Sequence, residues 1–167
     1  MATYHHGDLR AAVLEAAGKL IEKEGLASLS VREAARRAGV SHNAPYRHFP
    51  DRDALLAALA ADGFAALDKV LEGKSGRELG EAYVRFALEH PQRFRLMFMK
   101  GEPRATYERF ASAFAGSGAE AKVAAAAAWS LIHGLAGLIL DGHLERDEGF
   151  VRRVLGSIRF AVGQRSE

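Results

Sequence analysis

Apolar positions recur along this chain at helical spacing, and nowhere do they alternate as a strand requires. Leu9, Val13, Ala17, Leu20 and Ile21 form one stripe with Lys19, Glu22 and Lys23 outside it, and Gly25 ends that helix. A second long stripe holds Leu55, Leu56, Leu59, Leu67, Val70 and Leu71, is capped by Asp51 and runs to about residue 72. Gly63 interrupts it, at an expected cost of about 1 kcal/mol relative to alanine. Gly73 to Gly76 form the clearest internal boundary. Beyond it the pattern predicts helices over 76–89, 91–99, 104–114, 119–141 and 147–164, with breaks at Pro91, Gly101 to Pro103 and Gly116 to Gly118. The last would carry Val151, Val154, Leu155, Ile158 and Val162 on one side, with Arg152, Arg153 and Arg159 elsewhere. The fold class is all-α, with about nine helices.

Between the two stripes lies Ser30 to Phe49, reading SVREAARRAGVSHNAPYRHF. Ser30 is a helix cap, and Glu33 three positions later completes a capping box. Ala34, Ala35 and Ala38 keep that helix thin enough for a second to approach. Gly39 stands where a helix end favours a left-handed residue. Val40 plugs the corner, and Ser41 offers a second cap. Helix, glycine turn, helix is the arrangement in which the second helix enters the major groove of DNA while the first crosses the backbone.

The candidate contacts follow from that docking mode. His42 and Asn43 are the first polar side chains past the cap, and asparagine has the geometry for a bidentate contact to adenine. Backbone N–H groups at Ser41 favour a phosphate. Tyr46 and His48 are placed to reach phosphates, Arg47 to reach base or phosphate, and Ser30 and Arg32 to hold a further phosphate. Phe49 is core. Tyr46, three residues earlier, is divided between packing its ring and offering its hydroxyl. Arg36 and Arg37 read as a solvated face, and His5 and His6 as part of an N-terminal arm. Pro45 removes a donor just past the first helical turn and biases Ala44 away from α geometry, which predicts a tight or 3₁₀-like start.

These residues carry a family resemblance. Ala35, Gly39 and Val40 give the general helix-turn-helix spacing. With Ser41, Tyr46, His48, Phe49 and the Pro-Asp-Arg that opens the next helix, the stretch resembles the tetracycline-repressor-like (TetR) regulators, as does Tyr4-His-His-Gly-Asp-Leu-Arg10. Trp129-Ser-Leu-Ile-His133-Gly134 is similar to the WHG-type C-terminal regulatory domain of that family. The resemblance implies an all-helical homodimer that represses transcription and leaves a palindromic operator when a small apolar molecule binds. It also implies backbone contacts at Tyr46 and His48, and identifies Arg52 with the family's basic residue that grips the DNA backbone.

Charge and composition sharpen this only in part. The formal excess of +2 lies wholly within the first fifty residues, with four of the seven histidines. That is a weak electrostatic footprint for DNA, which a dimer doubles. The absence of cysteine fits a reducing cytoplasm, and no signal peptide is visible. Residues 1–50 are read as the helix-turn-helix domain and 51–167 as a regulatory, ligand-binding and dimerisation domain.

Val123 to Leu140 carries no formal charge and touches the length of a membrane span. Its alanines, with Ser130, His133, Gly134 and Gly137, favour a helix buried by its own core and by a partner chain, so no membrane is implied. Leu131, Gly134, Leu138, Val151, Leu155 and Ile158 are the candidate dimer interface. Phe86, Met97, Phe110, Trp129 and His133 are the candidate effector contacts, the aromatics and methionine being suited to an adaptable apolar pocket and His133 to a polar handle. An architectural DNA-binding protein without an effector is the alternative. The least favoured rival is a metal-binding helical enzyme built on Asp141, His143, Glu145 and Asp147. No glycine-rich phosphate loop or nucleophile–base signature appears, so neither cofactor nor metal is implied and no catalytic residue is assigned.

Overall fold

A computed structural model describes the backbone of residues 9–114 and 119–157. Among them are eight α-helices: α1 (Leu9–Glu24), α2 (Val31–Arg37), α3 (Arg52–Leu71), α4 (Gly76–Glu89), α5 (Pro91–Lys100), α6 (Arg104–Phe114), α7 (Ala119–Leu140) and α8 (Glu148–Ser157). Two 3₁₀ turns, Leu26–Ser28 and Ala44–Arg47, complete the described elements. The second stands where the ninth helix was expected. His5, His6, the Gly116 to Gly118 loop, Ile158, Arg159 and Val162 lie outside the described residues.

The helix limits follow local chemistry. Asp51 Oδ1 accepts the N–H of Ala54 at 2.8 Å, and Asp147 Oδ1 accepts that of Phe150 at 2.7 Å, so a carboxylate caps α3 and another caps α8. Pro91 opens α5, where its missing N–H costs nothing.

The chain divides into two compact units, and their limits differ from residues 1–50 and 51–167. The first runs to Ala65 and also takes in His90–Glu102. Its core joins Val13, Ala17, Leu20 and Ile21 of α1 with Val31 and Ala34 of α2, then Phe49, then Leu55, Leu56 and Leu59 of α3, and finally Leu96 of α5. Thus α5, which begins 44 residues after Arg47, completes the apolar core on which the helix-turn-helix rests. Glu22 fixes α5 from a distance: its carboxylate accepts the N–H groups of Gln92 (3.1 Å) and Arg93 (2.8 Å), a cap at the positive end of that helix. Gly63 also acquires a reason. A Cβ there would lie 2.7 Å from Met97 Cγ, so the glycine makes room for α5 rather than merely weakening α3.

The second unit holds Ala66–Glu89 and the chain from Pro103 onward. α7 packs on α4 and α6, and α8 packs on α4. Gly80 permits the close approach: a Cβ would sit 3.2 Å from both Ile132 Cδ1 of α7 and Leu155 Cδ1 of α8. Asp68, near the end of α3, accepts a hydrogen bond from Thr106 Oγ1 (3.3 Å) and pairs with Arg109 Nε (3.8 Å), tying α3 to α6.

Candidate functional site

The turn between α2 and the following 3₁₀ element is built from its own sequence. Ser30 Oγ accepts the N–H of Glu33 at 3.1 Å and starts α2. The reciprocal half of the capping box is diverted. The Glu33 carboxylate instead receives Arg36 (Nη2 at 2.6 Å) and Arg37 (Nε at 2.8 Å). Those guanidiniums, Arg36 foremost, pull its pKa down from 4.5 to about 2. At the other end Gly39 has φ 71°, its N–H bonds to Arg36 O, and the N–H of Val40 bonds to Ala35 O. That is a Schellman stop, which needs the left-handed residue glycine supplies. Val40 then packs half-buried against the core, as the corner requires.

Ser41 does not cap a helix. An α-helix begun there would need the N–H of residue 45 to bond to Ser41 O, and Pro45 has none. The N–H of Ala44 bonds to Ser41 O instead, at 3.1 Å, and Ala44–Arg47 closes as a four-residue 3₁₀ turn. So short an element has little dipole to hold a phosphate, which removes the expected role of Ser41 as a helix N-terminus. His42 and Asn43 lie in the turn that precedes it, both exposed.

Two open depressions flank this turn. One, of about 460 Å³, is lined by Ser30, Arg32, Ser41 and His42 among others; the second, of about 860 Å³, by Ser41, Asn43, Arg47 and His48. Seven of the nine residues expected to touch DNA therefore line one continuous tract of surface around Val40 and Ser41, which border both. Tyr46 and Phe49 separate cleanly: Tyr46 is 45% exposed, while Phe49, at 1%, is core.

The cations of this surface are not equivalent. Arg36 and Arg37 are held by Glu33, and Arg37 also reaches Glu24 of α1 at 2.6 Å. Arg52 donates through Nε to Leu29 O (2.9 Å) and through Nη2 to Leu26 O (2.8 Å). These bonds make Arg52 a strut that ties α3 to the connection between α1 and α2. Arg32 and Arg47 make no hydrogen bond or ion pair among the described residues, so the charge available to a phosphate centres on them.

In the second unit Tyr83, Trp129 and His133 form a hydrogen-bonded trio. Trp129 Nε1–H donates to the Tyr83 hydroxyl oxygen at 3.3 Å, and that hydroxyl lies 2.9 Å from His133 Nδ1. The indole can only donate, whereas a neutral His133 either accepts the Tyr83 proton at Nδ1 or donates from it, according to its tautomer. Burial favours the neutral forms: it holds His133 below the usual histidine range and pushes the Tyr83 phenol above its own. Phe110 packs edge-on against Tyr83 with ring centroids 5.5 Å apart, and Tyr107 lies 5.7 Å from Trp129.

Phe110, Trp129 and His133 are thereby brought together. Phe86 is buried on α4, whereas Met97 belongs to the first unit, beside Gly63. Tyr83, the centre of the trio, escaped the sequence reading. Its only signal was an aromatic residue on the buried stripe of α4, one turn before Ala87 and one turn after Leu79.

The expected dimer residues divide. Leu131 (50% exposed), Gly134 and Leu138 (46%) share a narrow apolar stripe of α7 with Val123 (63%). Val151 and Leu155 are instead buried within their own unit, at 5% and 2%, because α8 turns its apolar side onto α4. α7 is long and apolar enough to cross a membrane by length and composition, but its other side, with Ala125, Ala128, Ile132, Ala136 and Ile139, forms part of the core. Among the described residues no three His, Cys, Asp or Glu side chains gather to hold a metal, and Asp147 is occupied in capping α8.

An all-helical chain that presents a glycine-turned helix-turn-helix, with a separate helical unit carrying an aromatic and polar cluster, is by class a DNA-binding regulator. This one belongs to the tetR family of bacterial regulatory proteins: residues 13–59 match "Bacterial regulatory proteins, tetR family" and residues 77–156 match "Tetracyclin repressor-like, C-terminal domain". A protein of unknown function from Rhodococcus sp. RHA1 is 33% identical, with TM-score 0.76 over 94% of this chain and 96% of that one. TetR from Acinetobacter baumannii AYE shares the fold at 22% identity and TM-score 0.64, covering 93% and 94% of the two chains. A transcriptional regulator from Aquifex aeolicus VF5 does so at 19% and 0.65, covering 88% and 95%. No curated protein matches the chain.

Proposed function

We propose that this protein is a cytoplasmic, homodimeric repressor that reads a palindromic operator and releases it when a small apolar effector enters the aromatic cluster of its second unit. The observation that carries the reading is the Tyr83–Trp129–His133 trio. Three polar groups hydrogen-bonded in series, amid aromatic rings, form a handle that an apolar molecule with one hydrogen-bonding group engages by displacing a member. At the other unit, His42 and Asn43 supply base contacts, and Arg32, Arg47, Tyr46 and His48 supply phosphate contacts. The exposed α7 stripe of Leu131, Gly134 and Leu138 pairs two chains, since glycine there lets helices approach closely.

Release is a population shift. Effector favours a dimer spacing that no longer fits two half-sites about one helical turn apart. α3 carries the change, because one continuous helix contributes residues to both units. To move the operator-bound fraction from about 99% to about 1%, effector must prefer the released state by about 5.5 kcal/mol.

Trp129 is the only tryptophan in the chain, so its fluorescence reports on this cluster alone. In a screen of planar apolar compounds, those that shift Trp129 emission are expected to dissociate the operator complex at the same concentrations. Tyr83→Phe should weaken both responses together. Compounds that saturate the Trp129 signal while operator affinity stays unchanged would remove the effector role from this cluster.

A further inference from the structure

We propose that the cleft between α4 and α8 is a second ligand site, one that binds a small zwitterion with an apolar body, the chemistry of a free amino acid. α4 has two unlike faces. One is buried and includes Tyr83. The other places Glu81, Val84, Arg85 and Leu88 at i, i+3, i+4 and i+7, a single helical stripe. α8 answers with Glu148, Val151 and Arg152 at i, i+3 and i+4. Between the two stripes opens a cavity of about 340 Å³, within the range of about 300–1,000 Å³ typical of small-molecule sites.

The floor and the walls of this cleft differ. Val84 and Val151 are buried and, with Leu88, give an apolar base. Around it stand three guanidiniums, of Arg85, Arg146 and Arg152, and three carboxylates, of Glu81, Glu89 and Glu148. Few of these charges satisfy one another. Arg146 donates to the backbone carbonyl of Leu88. Glu81 Oε1 is buried without a hydrogen bond; Arg77 Nε, 3.2 Å away, is out of line, and Arg152 Nε is 4.0 Å away. Arg85, Glu89 and Glu148 have no ion-pair or hydrogen-bond partner among the described residues.

A ligand of one sign would meet three like charges in this wall, and an uncharged apolar ligand would strip water from all six without replacing it. A zwitterion answers both sets. Its carboxylate suits the planar donors of Arg85 and Arg152, its ammonium suits Glu89 and Glu148, and its side chain covers Val84, Leu88 and Val151. The site depends on neither the DNA-binding surface nor the aromatic trio.

Calorimetric titration of the full chain with L-valine, L-leucine, L-isoleucine, L-methionine and L-phenylalanine tests this without DNA. At least one is expected to bind at up to millimolar concentration. For the best of them, the matched acid lacking the amino group and the matched amine lacking the carboxylate should each bind roughly tenfold or more weakly, because each loses a charge-assisted contact. Arg85→Gln and Glu148→Gln, both at exposed positions, should weaken binding by a similar factor with the melting temperature unchanged. No heat from any of the five overturns the proposal. So does an acid or amine that binds as tightly as its parent, or binding indifferent to both substitutions.

Discussion

Replacing Phe49 by alanine is expected to destabilise the helix-turn-helix unit by about 3–5 kcal/mol, the usual cost of emptying a buried phenylalanine site. Phe49 is only 1% exposed and belongs to the core formed by α1, α2, the start of α3 and Leu96. The Arg10 guanidinium also lies 5.8 Å from the centre of its ring. A change of this size removes a large part of the stability of a small unit, so DNA binding should vanish with folding. Tyr46→Ala, three residues earlier, should behave oppositely. With 45% of the residue exposed, its removal should shift stability by no more than about 0.5 kcal/mol. Its loss should instead weaken binding to operator and random DNA alike, as a phosphate contact does. Thermal melts beside gel shifts separate the two, and a Tyr46→Ala protein that unfolds as readily as Phe49→Ala would place its ring in the core after all.

Arg52→Ala should likewise register as a loss of stability, by about 1–3 kcal/mol. Its guanidinium donates to the carbonyls of Leu29 and Leu26, and charge-assisted hydrogen bonds contribute about 1.5–3 kcal/mol each before exposure to water reduces them. The salt dependence of DNA binding distinguishes this strut from a phosphate contact. Loss of a phosphate-bound cation lowers the slope of log K against log salt by about one unit. For Arg52→Ala, measured where the protein is fully folded, the slope is expected to stay unchanged. A slope reduced by one, with melting unaltered, would return Arg52 to the DNA backbone.

The contrast between these residues shows what a linear sequence makes legible. Helix limits rest on neighbours three or four positions away, and Ser30, Gly39, Asp51 and Pro91 act as their chemistry predicts. Pro45 announced a tight start, and the structure extends that constraint to the whole four-residue element. Arg52 and Glu22 were not legible because their partners lie 23 to 71 residues distant. For the same reason α5 could not be assigned to the core beneath the helix-turn-helix. Tyr83 was hidden because an aromatic residue on a buried stripe looks alike whether or not its hydroxyl organises two other side chains. Val151 and Leu155, buried within their own unit, show a related limit: an apolar stripe shows that a helix buries one side, and it says nothing about which chain supplies the cover.

The surface around Val40 and Ser41 is expected to read a symmetric DNA site as part of a dimer. Selection of bound sequences from a random DNA pool at near-physiological salt tests it most directly. The expected result is a two-fold palindrome with fixed half-site spacing of about one helical turn, roughly 10–10.5 base pairs centre to centre. Recovery of sequences with no shared motif, or of a single half-site without a symmetric mate, would contradict it.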